Sequence, residues 1–274
     1  MISKGYVEGR WGQIHYRICL PATATNKAPI LLLHPTPKSG WIYEDLMPHL
    51  AFCGRIVIAP DTPGYGASAP PPGPVVIADY ATEIWTLLGA LANSIPELSP
   101  HSVDLLGYHT GSAIATQMAV SHPDRVNALV LVSLPAFDED TRIQKLAAIK
   151  GKPVADENGT HLADMWKICR SLTDSRADLD WLSRSVVENL RSGRRAFWGY
   201  DAVYRYDMRA ALRQVNQPTL VLNAHDDLFE ITSQTAALIG NAEICELPGT
   251  RHGMFSFMAR QIAERINSFL DSNT

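Results

Sequence analysis

Leu105-Leu106-Gly107-Tyr108-His109-Thr110-Gly111-Ser112 joins an apolar strand to a helix of small residues through a sharp turn. Glycines at 107 and 111 let the backbone fold tightly where strand and helix approach each other. The side chain between them, His109, is therefore expected to stand clear above the end of a sheet.

Outward from this turn, the chain alternates strand and helix signals. Gly5 to Leu20 has the alternation of a hairpin around Trp11-Gly12-Gln13. Pro29-Ile30-Leu31-Leu32-Leu33 and Arg55-Ile56-Val57-Ile58-Ala59 are short apolar runs, the pattern of strands buried on two faces in a parallel sheet. Ile77, Tyr80, Ile84, Leu87, Leu88 and Leu91 recur at helical spacing. Val126 to Val132 is another strand, as are Pro218 to Leu222 and Ala242 to Leu247, and a last helix carries Met258, Ile262, Ile266 and Phe269 on one face. This order predicts an α/β fold, a mostly parallel central sheet with helices on both faces.

Strand signals vanish between Phe137 and Asp207. Trp166, Trp181, Trp198 and many charged residues appear there instead; from Asp138 to Arg209, 13 basic residues face 12 acidic ones, so the segment is no phosphate trap. It is long for a loop and too aromatic for disorder. An inserted helical lid is expected at 137–209, dividing a core of 1–136 and 210–274.

The 274 residues are 46% hydrophobic and 19% charged, which excludes a disordered or collagen-like chain. A net charge of −4 gives no drive toward nucleic acid or anionic membranes. The densest apolar run, Ala28 to Leu33, is strand-sized, and Met1-Ile2-Ser3-Lys4-Gly5 lacks the apolar core of a secretory signal. Cys19, Cys53, Cys169 and Cys245 are scattered and read as reduced packing residues. A cytoplasmic monomer or homodimer acting on a small molecule is the expectation.

Five landmarks in order give the chain a resemblance to the α/β-hydrolase superfamily. Leu31-Leu32-Leu33-His34-Pro35-Thr36-Pro37 resembles the strand and oxyanion loop written HG-x-P. Asp61-Thr62-Pro63-Gly64-Tyr65-Gly66-Ala67-Ser68 is similar to the D-x-P-G-x-G-x-S turn, and 107–111 to the G-x-S-x-G nucleophile elbow. Asn223-Ala224-His225-Asp226-Asp227 looks like the loop bearing the acid, and Leu247 to Gly253 like the turn bearing the catalytic histidine.

The resemblance implies His252 as general base and Asp227 as its orienting acid, the G-x-x-D spacing favouring Asp227 over its neighbour Asp226. A carboxylate in that role fixes the imidazole tautomer and stabilises the imidazolium. Position 109 departs from the family pattern. An imidazole cannot form the alkyl ester that a carboxylate nucleophile forms in dehalogenase- and epoxide-hydrolase-like members, so those two activities are not expected. Three roles stay open for His109: nucleophile through an acyl-imidazole, general base or donor with no covalent step, or occupant of a site that only binds. Two neighbouring imidazoles would titrate as a coupled pair, one neutral and one charged.

The oxyanion loop departs too. Pro35 and Pro37 have no N–H, which leaves Thr36 as the donor there and Thr110 as the donor at the elbow. His34, Tyr108, His161, Trp166 and Trp198 are candidate substrate-binding residues; aromatic groups at the pocket would suit an aromatic or otherwise planar apolar substrate. His109, His252 and Asp227 have the ligand types of a non-haem iron site, yet no H-x-E or H-E-x-x-H spacing occurs, and neither metal nor cofactor is expected. The leading functional expectation is an atypical enzyme acting on a small ester, amide or activated carbonyl compound. The alternatives are a cofactor-free lyase or oxygenase with the His–Asp pair as base, and a non-catalytic binding protein on the same scaffold.

Overall fold

The computed structural model describes residues 1–23, 25–95, 98, 102–149 and 155–273. Eight strands form one sheet: β1 (Ile2–Gly9), β2 (Gly12–Cys19), β3 (Ile30–Leu33), β4 (Val57–Pro60), β5 (Val103–Tyr108), β6 (Val126–Val132), β7 (Thr219–Ala224) and β8 (Ala242–Leu247). Their order is β1-β2-β4-β3-β5-β6-β7-β8. The hairpin β1–β2 and the pair β2–β4 are antiparallel, and every pairing from β4 through β8 is parallel.

The helices are α1 (Leu46–Phe52), α2 (Ile77–Ser94), α3 (Thr110–Ser121), α4 (Glu139–Ile149), α5 (Thr160–Leu172), α6 (Leu179–Arg191), α7 (Trp198–Arg205), α8 (Met208–Leu212), α9 (Phe229–Thr235), α10 (Met254–Phe257) and α11 (Ala259–Ser272). Successive strand residues point to opposite faces, so the core is double. Leu31, Leu33, Leu105, Leu129, Leu131 and Val221 pack with α2 and α3 on one face. Ile30, Leu32, Leu106, Val130, Leu220 and Leu222 pack with α1 and α11 on the other. Among the described residues, five helices, α4 to α8, stand between β6 and β7, in the segment where the strand signals vanish. No described helix is long and apolar enough to cross a membrane.

In a parallel sheet the loops at the carboxyl ends of the strands gather on one edge, where such folds place their ligand sites. The register Leu33–Gly107–Leu131, continued by Val132–Leu222, brings the ends of β3, β5, β6 and β7 to that edge together.

Candidate active site

The elbow has the geometry its glycines imply. A Cβ at Gly111 would overlap the carbonyl oxygen of Leu33, and one at Gly107 would overlap that of Gly111, so β3, β5 and α3 meet with no room for side chains. Between them His109 takes φ 52°, a left-handed conformation unusual for a non-glycine residue. Its N–H donates to Val132 O at 3.1 Å, which ties the strained residue to β6. Ser133, one residue beyond β6, has φ 51° and turns towards the same edge.

Two histidine–aspartate pairs form there. His109 Nε2 lies 2.9 Å from Asp226 Oδ2, and His252 Nε2 lies 2.9 Å from Asp227 Oδ1. The sequence reading paired Asp227 with His252 and treated Asp226 as a neighbour to be told apart from it; the structure uses both carboxylates. Ser133 Oγ also donates to Asp226 Oδ2 at 2.7 Å, and Leu228 N–H donates to Asp226 Oδ1 at 2.9 Å. Tyr108 Oη stands between the pairs, 3.2 Å from Asp226 Oδ2 and 3.1 Å from His252 Nδ1. The two imidazole centroids are 5.2 Å apart. Neither Ser133 nor the Asp226–His109 pairing is marked by any sequence motif; the only available signal is the Asp-Asp doublet after a strand.

Burial disfavours charge on His109, Asp226 and Asp227, and the pairing outweighs it. His109 is held above the usual imidazole range: burial opposes its charge, but the Asp226 carboxylate and its hydrogen bond outweigh that penalty, with Asp227 adding to them. Asp226 is also buried, yet His109, His252 and Ser133 hold it well below the ordinary carboxylate range. Asp227 is lowered against its own burial by the hydrogen bond to His252 and the charges of both histidines. Burial, with Asp226 and Asp227 nearby, pushes the Tyr108 hydroxyl up, so it keeps its proton.

Thr36 and Thr110 come together across the mouth of the elbow. Thr36 N–H is 3.4 Å from Thr110 Oγ1, a long hydrogen bond. Thr110 begins α3, so its N–H has no intrahelical acceptor. The inserted helices dock on this loop. Tyr200 Oη donates to Thr36 O at 3.0 Å, Lys38 Nζ to Ser185 O and Oγ at 2.8 and 2.6 Å, and Ser39 Oγ to Glu188 Oε2 at 2.5 Å. Just beyond α5, Asp174 N–H donates to His252 O at 2.9 Å.

Other candidates from the sequence stand elsewhere. His34 is buried with both ring nitrogens engaged: Nδ1–H donates to Pro35 O at 2.9 Å, and Nε2 accepts from Thr62 N–H at 2.8 Å. It braces two loops rather than offering a nitrogen to a ligand. His161 lies in the first turn of α5, where Asp156 accepts its backbone N–H and its Nδ1 lies 3.2 Å from Asp156 Oδ2. Trp166 is 37% exposed. Among the described residues, neither Trp166 nor Trp198 makes a ring contact with Tyr108, His109 or His252. An aromatic residue in a helical segment shows that the helix buries something, not what it faces.

In kind and number, His109, Asp226, Asp227 and His252 could surround a cation, their donor atoms lying within 4.8 Å of one another. The distances between facing atoms are those of hydrogen bonds, however. Asp226 Oδ2 has three donors around it already.

A protein-family model described as "alpha/beta hydrolase fold" matches residues 28–257. The bifunctional epoxide hydrolase 2 of Sus scrofa is 28% identical over 127 residues, 46% of this chain and 22% of that protein. Haloalkane dehalogenase 1 of Mycobacterium tuberculosis (strain ATCC 25618 / H37Rv) is 34% identical over 110 residues, 39% of this chain and 35% of that protein. The chain thus matches well under half the length of these two relatives. Among solved structures, a hydrolase from Pseudomonas aeruginosa PA01 superposes with TM-score 0.78 at 21% identity, covering 98% of each chain. The enol-lactonase from Burkholderia xenovorans LB400 superposes with TM-score 0.78 at 16% identity, covering 97% of this chain and 100% of that one. At such identities these two likenesses show shared fold alone.

Proposed function

The chain belongs to the α/β-hydrolase fold family, and from that premise we propose that it is an enzyme cleaving a small ester, amide or activated carbonyl compound by acid–base catalysis at His109, with no covalent intermediate. The observation that carries this reading is the His109–Asp226 pair. With Nε2–H donated to a buried carboxylate at 2.9 Å, the neutral ring has its lone pair on Nδ1. Among the described residues, Nδ1 of His109 has no hydrogen-bond partner, whereas both nitrogens of His252 are engaged. The free base of the site is therefore His109, a reversal of the role the family pattern would give His252.

In this mechanism His109 Nδ1 takes a proton from water as the water oxygen bonds to the substrate carbonyl carbon. The carbonyl π pair moves to oxygen; the Thr110 amide is the donor available to that oxyanion, joined by the Thr36 amide when it leaves its long bond to Thr110 Oγ1. Collapse of the tetrahedral intermediate breaks the bond to the leaving group, which takes the proton from His109. Asp226 stays ionised throughout and keeps the tautomer fixed. The Tyr200 ring, whose hydroxyl donates to Thr36 O, and the Tyr204 ring packed 6.2 Å from it by centroid support a planar or apolar acyl portion. The epoxide hydrolase and haloalkane dehalogenase relatives do not extend their named activities to this chain, because position 109 offers no carboxylate for an alkyl ester.

Activated aryl esters test the proposal. Wild type is expected to turn over without a burst of the aryl product. His109→Ala should lose at least ~10²-fold in kcat, the contribution typical of a general base, while remaining folded. Retained activity in His109→Ala, or turnover confined to His109→Ser, would overturn it and move lyase, oxygenase or binding roles ahead.

A further inference from the structure

The Tyr108 hydroxyl has one proton and two neighbours that compete for it. Asp226 Oδ2, at 3.2 Å, can only accept. His252 Nδ1, at 3.1 Å, accepts when the ring is neutral and donates when it is charged. The far nitrogen of the same ring settles which is which. His252 Nε2 faces the Asp227 carboxylate at 2.9 Å, so Nε2 carries hydrogen in both charge states. A neutral His252 then has a bare Nδ1, and the Tyr108 O–H turns to it. A charged His252 has Nδ1–H, which donates to Tyr108 Oη, and the hydroxyl proton turns to Asp226.

We infer that Tyr108 is a positioning residue, a hydrogen-bond switch that makes the proton on His252 and the proton on His109 exclude one another. When His252 gains a proton, Asp226 Oδ2 receives the Tyr108 O–H in addition to Ser133 Oγ and His109 Nε2. Each donor satisfies part of the carboxylate charge, so its hold on the His109 proton weakens and Nδ1 becomes easier to keep bare. When His252 loses its proton, the hydroxyl leaves Asp226 and His109 is favoured as the charged ring. Repulsion between rings 5.2 Å apart acts in the same direction. The result is a coupling in which a proton on one imidazole disfavours a proton on the other, with no group entering from outside.

Among the described residues, charged or titratable groups reach this triangle from several elements, Tyr200 and Tyr204 of α7 among them on the Asp227 side. Asp226 and Asp227 approach from the loop after β7, His109 from the elbow, and Tyr43 from the turn at 40–43, where it feels the Tyr108 hydroxyl. Behind the His252 backbone lie Arg251 and Asp174, and Asp174 is already paired with Arg176 at 2.6 Å. Tyr108 itself is wedged edge-on against Phe255 and His109, with centroids 5.4 and 4.4 Å away, so its ring stays in place while its proton moves.

This inference rests on the acid–base reading for its use in turnover, but its main test needs no substrate. Nitrogen-labelled histidine NMR follows both imidazoles through a pH titration of the full chain. Wild type is expected to show two macroscopic midpoints more than about one unit apart, as interacting sites do. Tyr108→Phe removes the hydroxyl alone. It should raise the midpoint of His109, because Asp226 loses a competing donor, and leave His252 Nδ1 with the shift of a nitrogen that lacks a partner. Unmoved midpoints and tautomer signals in folded Tyr108→Phe would overturn the switch.

Should Tyr108→Phe fail to fold, 3-fluorotyrosine at position 108 keeps the ring and the hydroxyl while making it a stronger donor. The His252 midpoint must then shift, and no shift rejects the inference. In turnover, Tyr108→Phe should narrow the pH range of full kcat while KM stays within about twofold, a uniform-binding criterion. A chain that shows coupled midpoints and no ester turnover would reject the hydrolytic reading and leave the switch standing.

Discussion

Asp226 and Asp227 are neighbours in the chain, yet they turn to different imidazoles and to different surroundings. The Asp226 side chain has no exposed surface, while that of Asp227 is 48% exposed. An ion pair open to solvent is screened and weak, whereas a buried, hydrogen-bonded one acts at close to full strength. The two His–Asp pairs are therefore unequal, and the inner one is formed by the residue at the elbow.

Replacing each carboxylate by its amide should expose that inequality. Asp226→Asn keeps the shape but permits the wrong His109 tautomer, for which losses of about 10⁴-fold in kcat are the precedent in a triad. Asp227→Asn should cost less than about tenfold, in keeping with a half-exposed pair. Steady-state kinetics on activated aryl esters measure both. The opposite ranking would make His252–Asp227 the working pair.

The pH dependence has a definite sign. A base must be neutral to act, and Asp226 holds the His109 midpoint above the usual range. The kcat/KM profile should thus rise with pH through a midpoint higher than an ordinary imidazole's, and Asp226→Asn should move that midpoint down.

Stability follows the same linkage. For His109, raised in the folded state, the stabilisation is fully present below its unfolded value near ~6.5 and is lost as pH rises through the folded one. For Asp226, lowered in the folded state, it is present above ~3.9 and is lost as pH falls through the folded value. Urea unfolding of wild type against His109→Ala should show a gap that shrinks as the solution is made alkaline.

Gly199 tests the seat of the Thr36 loop. A Cβ there would overlap Thr36 Oγ1. Gly199→Ala is expected to destabilise by ~1–3 kcal/mol, the usual cost of overpacking, and to lower kcat by displacing the Thr36 amide. Gly89→Ala, inside α2 with nothing within 4 Å of the new carbon, should instead be neutral or stabilising by up to ~1 kcal/mol. Thermal melts of the two variants decide the matter.

Lys38 is the clasp between that loop and α6. Burial pulls its ammonium down to about 8, against smaller opposing effects from Cys169 and Glu188. Lys38→Met should release the inserted helices from the loop and speed limited proteolysis between residues 155 and 191. Because the folded value lies below the unfolded one near ~10.4, wild type should gain stability relative to Lys38→Met as pH rises between those two values.

Much of the fold was legible because strands buried on both faces read as unbroken apolar runs. Ile30 to Leu33 is such a strand from end to end. The elbow was legible because only glycine fits at 107 and 111. The inner pair was not. The G-x-x-D spacing marks Asp227, but which of two adjacent aspartates turns inward is set by the Leu228 N–H on Asp226 Oδ1 and by Ser133, 93 residues away in the chain. His34 misled for a related reason, since its second partner, Thr62 N–H, comes from a loop 28 residues on. Trp166 carried a composition signal with no direction in it.

The contacts that shape the elbow come from the glycines at 107 and 111, from the Leu33 carbonyl, and from a backbone bond between His109 and Val132. None involves the imidazole. Position 109 is therefore a socket, in which the side chain can be exchanged while the frame around it keeps its form. A lineage built on such a frame can change its reaction by single substitutions at one point, provided that the partner across the socket changes in step. Asp226 is that partner here, 2.9 Å from the imidazole that fills the socket.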